Sequence, residues 1–117
     1  MIRCKEDYVF ELRQNMRGGP GMVRIEHLWD AKSELKGNNR LFARLILEPG
    51  SGIGFHTHEN EEEVFFIVSG QAEADDDGKT VVLSSGDTLL TGDGAGHAIE
   101  AVGDEPLVVM AVISRYD

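Results

Sequence analysis

Gly50-Ser-Gly-Ile-Gly-Phe-His56-Thr-His58-Glu-Asn-Glu-Glu-Glu63-Val-Phe-Phe-Ile-Val-Ser-Gly70 is the stretch that decides the fold. It reads as two strands joined by a charged turn. Side chains alternate along a strand with period two, so His56 and His58 present their imidazoles on one face. By the same rule Glu63, Phe65 and Ile67 share a face, which sets two apolar side chains below a carboxylate. The run Val64 to Val68 is apolar on both faces, so both should be covered, one by the interior and the other by a second sheet or a partner subunit. His58 and Glu63 are an odd number of residues apart, so the turn over 59–62 has to reset the alternation. A later stretch, Gly86-Asp-Thr-Leu-Leu-Thr-Gly92-Asp-Gly94-Ala-Gly-His97, brings a third imidazole. His56, His58, Glu63 and His97 together form a donor set suited to a divalent transition metal.

Outward from this stretch the punctuation is that of an all-β chain, with 14 glycines and short β-branched or aromatic runs between turn residues. The pattern predicts strands over Tyr8–Arg13, Met22–Trp29, Leu41–Leu47, Ile53–His58, Val64–Ser69, Gln71–Asp75, Lys79–Leu83, Thr88–Leu90, Ala98–Ala101 and Leu107–Ser114. Asp77-Gly78 is a two-residue hairpin signal. Asp30–Leu35 is the only segment with a helical reading, of one or two turns. Arg17-Gly-Gly-Pro-Gly21 is a loop by composition and a candidate mobile flap over a site. Many short strands at even spacing imply a sandwich or a barrel.

The 117 residues suit one domain, 1–117, with a core barrel over about 38–114 and N-terminal strands over about 7–29. The net charge of −10 argues against nucleic acid or an anionic membrane as partner, since both need clustered basic side chains. No apolar run approaches the length of a membrane span, and the first residues contain no apolar secretory core. Cys4 is the only cysteine, which excludes an internal disulfide and fits a reducing cytoplasm.

These two stretches resemble the motifs of the cupin superfamily. The first motif, G-x5-H-x-H-x3,4-E-x6-G, is met at every position by Gly50, His56, His58, Glu63 and Gly70. The second, G-x5-P-x-G-x2-H-x3-N, is met by Gly86, Gly94 and His97, while Gly92 stands for the proline and Ala101 for the asparagine. The resemblance implies a double-stranded β-helix, a jelly-roll barrel holding one metal at one end on His56, His58, Glu63 and His97. It also implies a homodimer, often with N-terminal strands across the interface. It implies no particular reaction, because the fold serves oxygenases, isomerases, lyases, storage proteins and sensors.

Three neutral imidazoles and one carboxylate would leave a divalent ion with a residual charge of about +1 and open positions for water or a small bidentate ligand. Manganese, iron, cobalt, nickel, copper and zinc are all compatible. The other polar candidates are few. Arg44 lies among apolar neighbours and either reaches into the barrel to bind an anion or points outward to an acid. His27 shares a strand face with Val23, Ile25 and Trp29, as a core residue or as part of a cavity wall. Phe65, Ile67 and Met110 are candidate apolar walls of a ligand cavity. Basic residues enough to receive a phosphosugar are not apparent. The expected function is a metal-dependent enzyme acting on a small organic molecule, or else a binding or sensor module built on the same site.

Two other patterns carry no chemistry. The glycine-rich Gly92–Gly96 segment lacks the strand–loop–helix setting of a dinucleotide site. Glu73–Gly78 begins like a calcium loop, but Ser84 stands where the bidentate glutamate is needed.

Overall fold

The computed structural model describes residues 1–117. Ten strands follow in order: β1 (Val9–Gln14), β2 (Met22–His27), β3 (Asn39–Leu47), β4 (Gly52–Thr57), β5 (Glu61–Ser69), β6 (Gln71–Asp76), β7 (Lys79–Ser84), β8 (Thr88–Gly92), β9 (Gly96–Val102) and β10 (Leu107–Arg115). They form a six-stranded sheet in the order β1-β2-β3-β10-β5-β8 and a four-stranded sheet in the order β4-β9-β6-β7, and every pairing is antiparallel. This is the jelly-roll arrangement of a double-stranded β-helix. No helix is long and apolar enough to cross a membrane.

Alternation explains the core. Ala43, Leu45 and Leu47 of β3, Phe65 and Ile67 of β5, and Leu107, Val109 and Ala111 of β10 all turn inward. They meet Ile53, Ala72, Ala74, Ile99 and Ala101 from the opposite sheet in one cluster of 16 buried residues. Small alanines facing large Leu, Ile and Phe side chains let the two sheets pack closely. β2 joins this cluster through Val23 and Ile25, so the N-terminal strands extend the large sheet rather than standing apart.

The second face of Val64–Val68 is not covered within the chain. Val64, Phe66 and Val68 are exposed, as is Leu90 beside them on β8.

Two local features differ from the sequence reading. Residues 31–34 form a single turn, closed by the Glu34 and Leu35 amides donating to the Asp30 carbonyl, and no helix follows. The turn stops because its own side chains saturate it: Asp30 accepts from the Lys32 amide and the Ser33 hydroxyl. The Arg17–Gly21 segment is not a free flap. It begins within a short 3-10 turn, Met16–Gly18, and is tied down by the Asn15 amide donating to the Gly21 carbonyl and the Gly52 amide donating to the Pro20 carbonyl. Asp77 and Gly78 both have positive φ, 50° and 99°, as the two-residue hairpin requires.

Candidate metal centre

The site begins with a bulge. In the pairing of β4 with β9, Ile53 faces Ile99 and His56 faces His97, so β4 spends one residue more than its partner. The extra residue lets Ile53 and His56 both point inward although they are three apart. His58 follows just beyond the strand. Asn60, at φ 58°, then turns the chain, and β5 starts at once with Glu61 and Glu63 facing inward. The reset of alternation therefore occupies 58–60, a tighter connection than a turn over 59–62.

Four donors converge as a result. One ligand atom from each of His56, His58, Glu63 and His97 lies within 4.8 Å of all the others. His58 Nε2 is 3.1 Å from His97 Nε2, which is 3.2 Å from His56 Nε2. Glu63 Oε1 is 3.0 Å from Nε2 of both His58 and His97. Phe65 stacks on the His97 ring at 4.7 Å and 8°, holding its plane.

The other ring nitrogens are all engaged. His56 Nδ1 donates to the Gly54 carbonyl at 2.8 Å. His58 Nδ1 donates to Glu61 Oε2 at 2.6 Å. His97 Nδ1 lies 2.9 Å from the buried Thr91 hydroxyl. An imidazole that donates through Nδ1 keeps a lone pair on Nε2. These lone pairs face one another and the Glu63 carboxylate, an arrangement that repels itself unless a cation or added protons sit among them. The donor set thus fits a divalent transition ion, with neutral imidazoles and a carboxylate as ligands and their tautomers fixed from behind.

The titration of these groups follows the same geometry. Burial holds the His56 pKa below its ordinary value. Hydrogen bonding to Glu63 raises that of His58, against the opposing effect of burial. Burial pushes Glu63 upward, but its contacts with His58 and His97 outweigh this and leave it lowered. Glu61 is held at about 2 by the Arg40 guanidinium, which grips it at 2.6 and 2.7 Å. Nothing in the motif spacing singles out Glu61, Thr91 or Gly54, although all three orient ligands.

The centre lies in the wall of a cavity of about 690 Å³. Phe65 and His27 line it, as do Leu45 and Ile53. His27 Nε2 is 3.0 Å from Glu11 Oε2, and this contact lowers the Glu11 pKa. Ile67 faces the same way as Phe65 but is wholly buried in the core below, outside the cavity wall. Arg44 and Met110 do not line it. Both occupy the outward parity of their strands, between inward Ala43 and Leu45 and between inward Val109 and Ala111. Arg44 instead bonds the buried Glu26 at 2.7 Å.

The basic residues come from elsewhere. Arg3, Arg13, Arg17, Lys32 and Arg40 line the cavity, five of the chain's 11 lysines and arginines. The carboxylates among the lining residues are Glu11, Asp30, Glu34 and Glu63, four of 21. On a molecule of net charge −10 this concentrates positive charge at one opening, before any metal is counted. The motifs do not reveal it, because all five lie outside the strands that carry His56, Glu63 and His97, with Arg13 on β1 and Arg40 at the start of β3.

Comparison with known proteins agrees with this geometry. The model of the cupin domain family matches residues 43–113. An oxalate-binding protein of Thermotoga maritima is 43% identical over 113 residues, which cover 97% of this chain and 93% of the relative. The oxalate decarboxylase OxdC of Bacillus subtilis is 32% identical over 75 residues, 60% of this chain but only 20% of that enzyme. The crystal structure of a predicted oxalate decarboxylase from Thermotoga maritima superposes with a TM-score of 0.92 at 38% identity, covering 98% of this chain and 99% of the other.

Proposed function

The chain belongs to the cupin family, and from that premise we propose that it holds one divalent transition metal on His56, His58, Glu63 and His97 and there receives a small carboxylate of the oxalate class. The observation that carries the reading is the convergence of three Nε2 atoms and a carboxylate oxygen at the wall of a cation-lined cavity. A four-donor set leaves an octahedral ion two further positions, which suits a ligand that chelates through two oxygens. The bound ion would supply positive charge for those oxygens, in a wall that also carries Arg17 and Lys32, neither of them ion-paired within the chain. The 43% identical relative, named for binding oxalate, supports the same ligand class.

A second reading is catalysis on that ligand, and the Glu11–His27 pair favours it. It is a carboxylate-oriented imidazole in the cavity wall, the kind of group that delivers a proton to a reacting carbon. A decarboxylase would turn oxalate and one proton into formate and carbon dioxide. In that case His27→Gln abolishes formate production and leaves oxalate binding intact.

The exposed Val64, Phe66, Val68 and Leu90 support a homodimer in which a second copy covers the outer face of the large sheet. The single cysteine supports a cytoplasmic location.

Elemental mass spectrometry of tag-free protein, grown with equal manganese, iron, cobalt, nickel and zinc, tests the metal. One equivalent of a transition ion per chain is expected, falling below a tenth in His58→Ala with the β-sheet circular dichroism retained. Full metal in that variant would refute the ligand assignment. Calorimetric titration of the loaded protein with oxalate then tests the ligand class, and formate assay separates enzyme from binder.

A further inference from the structure

Of the five cations around the cavity, three are already spoken for. Arg3 is paired with Glu34, Arg13 with Glu11 and Arg40 with Glu61. Lys32 is unpaired but sits on the exposed turn after Asp30. Arg17 is different. It makes no ion pair within the chain, and it lines the same cavity as His56 and His58.

Its backbone is unusual too. Arg17 has φ 52° and ψ 29°, the left-handed region that a non-glycine residue seldom adopts, and it is followed directly by two glycines. Such a position is strained for a residue that has a Cβ and persists only where the surrounding structure holds it. The turn is also seated with unusual closeness. A Cβ on Gly54 would overlap the Arg17 carbonyl oxygen, and a Cβ on Gly19 would come within 2.5 Å of the Gly52 carbonyl oxygen. Two glycines, Gly19 and Gly54, thus let this turn lie close against β4, the strand that carries His56 and whose Gly54 carbonyl fixes its ring. The turn seated on these glycines thus carries an arginine, free of any ion pair within the chain, that lines the cavity together with His56, His58 and Glu63.

We propose that Arg17 is the anchor for the anionic ligand: its guanidinium takes the carboxylate oxygens that the metal does not, and so selects ligands with two carboxyl groups over those with one. This rests on the reading of the site given above. A planar guanidinium offers two parallel N–H donors that match a carboxylate edge, which a lysine ammonium does not.

The test uses manganese-loaded full-length protein, with Arg17→Gly and Arg17→Lys beside the wild type. Arg17→Gly removes the cation and relieves the positive φ, so it folds at least as stably as the parent. The expected result is an unchanged metal content, an oxalate affinity lowered at least tenfold in Arg17→Gly, partial recovery in Arg17→Lys, and acetate affinity altered less than twofold. Equal oxalate affinity in all three proteins overturns the anchor and leaves the dicarboxylate reading standing. If the loaded wild type binds none of oxalate, malonate or succinate, that reading fails instead, and titration with inorganic phosphate decides the anchor alone. Phosphate binding that vanishes in Arg17→Gly keeps it; phosphate binding that is absent or indifferent to Arg17 ends it.

Discussion

Glu61 stands directly behind His58, with its Oε2 2.6 Å from Nδ1, and is itself clasped by Arg40 through both carboxylate oxygens. The row Arg40–Glu61–His58 fixes the tautomer that aims the His58 Nε2 lone pair at the other three donors. A carboxylate behind a ligating imidazole both orients the ring and raises its basicity. Replacing Glu61 with Ala should therefore weaken metal binding about 10–100-fold while the sheets stay folded. Competition against a chelator of known affinity measures this. Unchanged affinity would mean that packing alone, through the buried ring, sets the His58 orientation.

A second ion pair allows a pH prediction away from the metal. Glu26 is buried on β2 and receives Arg44 at 2.7 Å and Arg24 at 2.8 Å. Burial alone would raise its pKa, but the two guanidinium contacts outweigh it and the carboxyl is held below its ordinary value. A carboxyl with a lowered folded pKa contributes stability that is present above the unfolded pKa, near 4.3, and is lost as pH falls through the lower folded value. Thermal midpoints should thus decline as pH drops below about 5. Glu26→Gln should decline less steeply, and should be less stable at pH 7 by about 1–3 kcal/mol. Parallel curves for the two proteins would remove Glu26 from the account.

Arg44 also shows how far the sequence could be read. All ten strands fall where the alternation and turn residues put them, within a few residues at each end, because each strand is defined by local pattern. The convergence of His56, His58, Glu63 and His97 is legible for the same reason, since motif spacing encodes strand parity. Parity fails where both faces are apolar. Leu41 to Leu47 is apolar at odd and even positions alike, so nothing local decided that Ala43, Leu45 and Leu47 face in and Arg44 faces out. Met110, within Val108–Ile113, is ambiguous in the same way. The cation-lined cavity was illegible for another reason. It assembles from the N-terminal segment, β1, the turns after β1 and β2 and the start of β3, and these reach the donors only through the pairing of β1 with β2 and of β2 with β3.

The outer face of the large sheet gives a third prediction. Phe66 is 45% exposed at its centre, opposite Met110 on β10 and Thr88 on β8, with Val64 and Val68 two residues to either side. An apolar row of this kind on a sheet face usually meets a partner. Light scattering coupled to size exclusion should find a dimer for the wild type and a monomer for Phe66→Glu, with matching circular dichroism. A monomeric wild type at micromolar concentration would show that the face stays open to solvent.

Gly54 joins the two halves of the proposed site, and its replacement gives the most discriminating result. Its carbonyl accepts from His56 Nδ1, and the space where a Cβ would stand is taken by the carbonyl of Arg17. Gly54→Ala must therefore push the Met16–Gly18 turn off β4 or bend β4 at its bulge. Overpacking against backbone costs about 1–3 kcal/mol, so a lower thermal midpoint is expected. Gly37→Ala is the matched control, because nothing lies within 4 Å of the added carbon. If the turn moves, oxalate affinity falls while metal content stays near one equivalent, since His58, His97 and Glu63 are untouched. If β4 bends instead, His56 is turned away and metal falls with it. Both losses trace to one carbon atom, and their ratio tells whether the arginine turn or the ligand strand is the softer element.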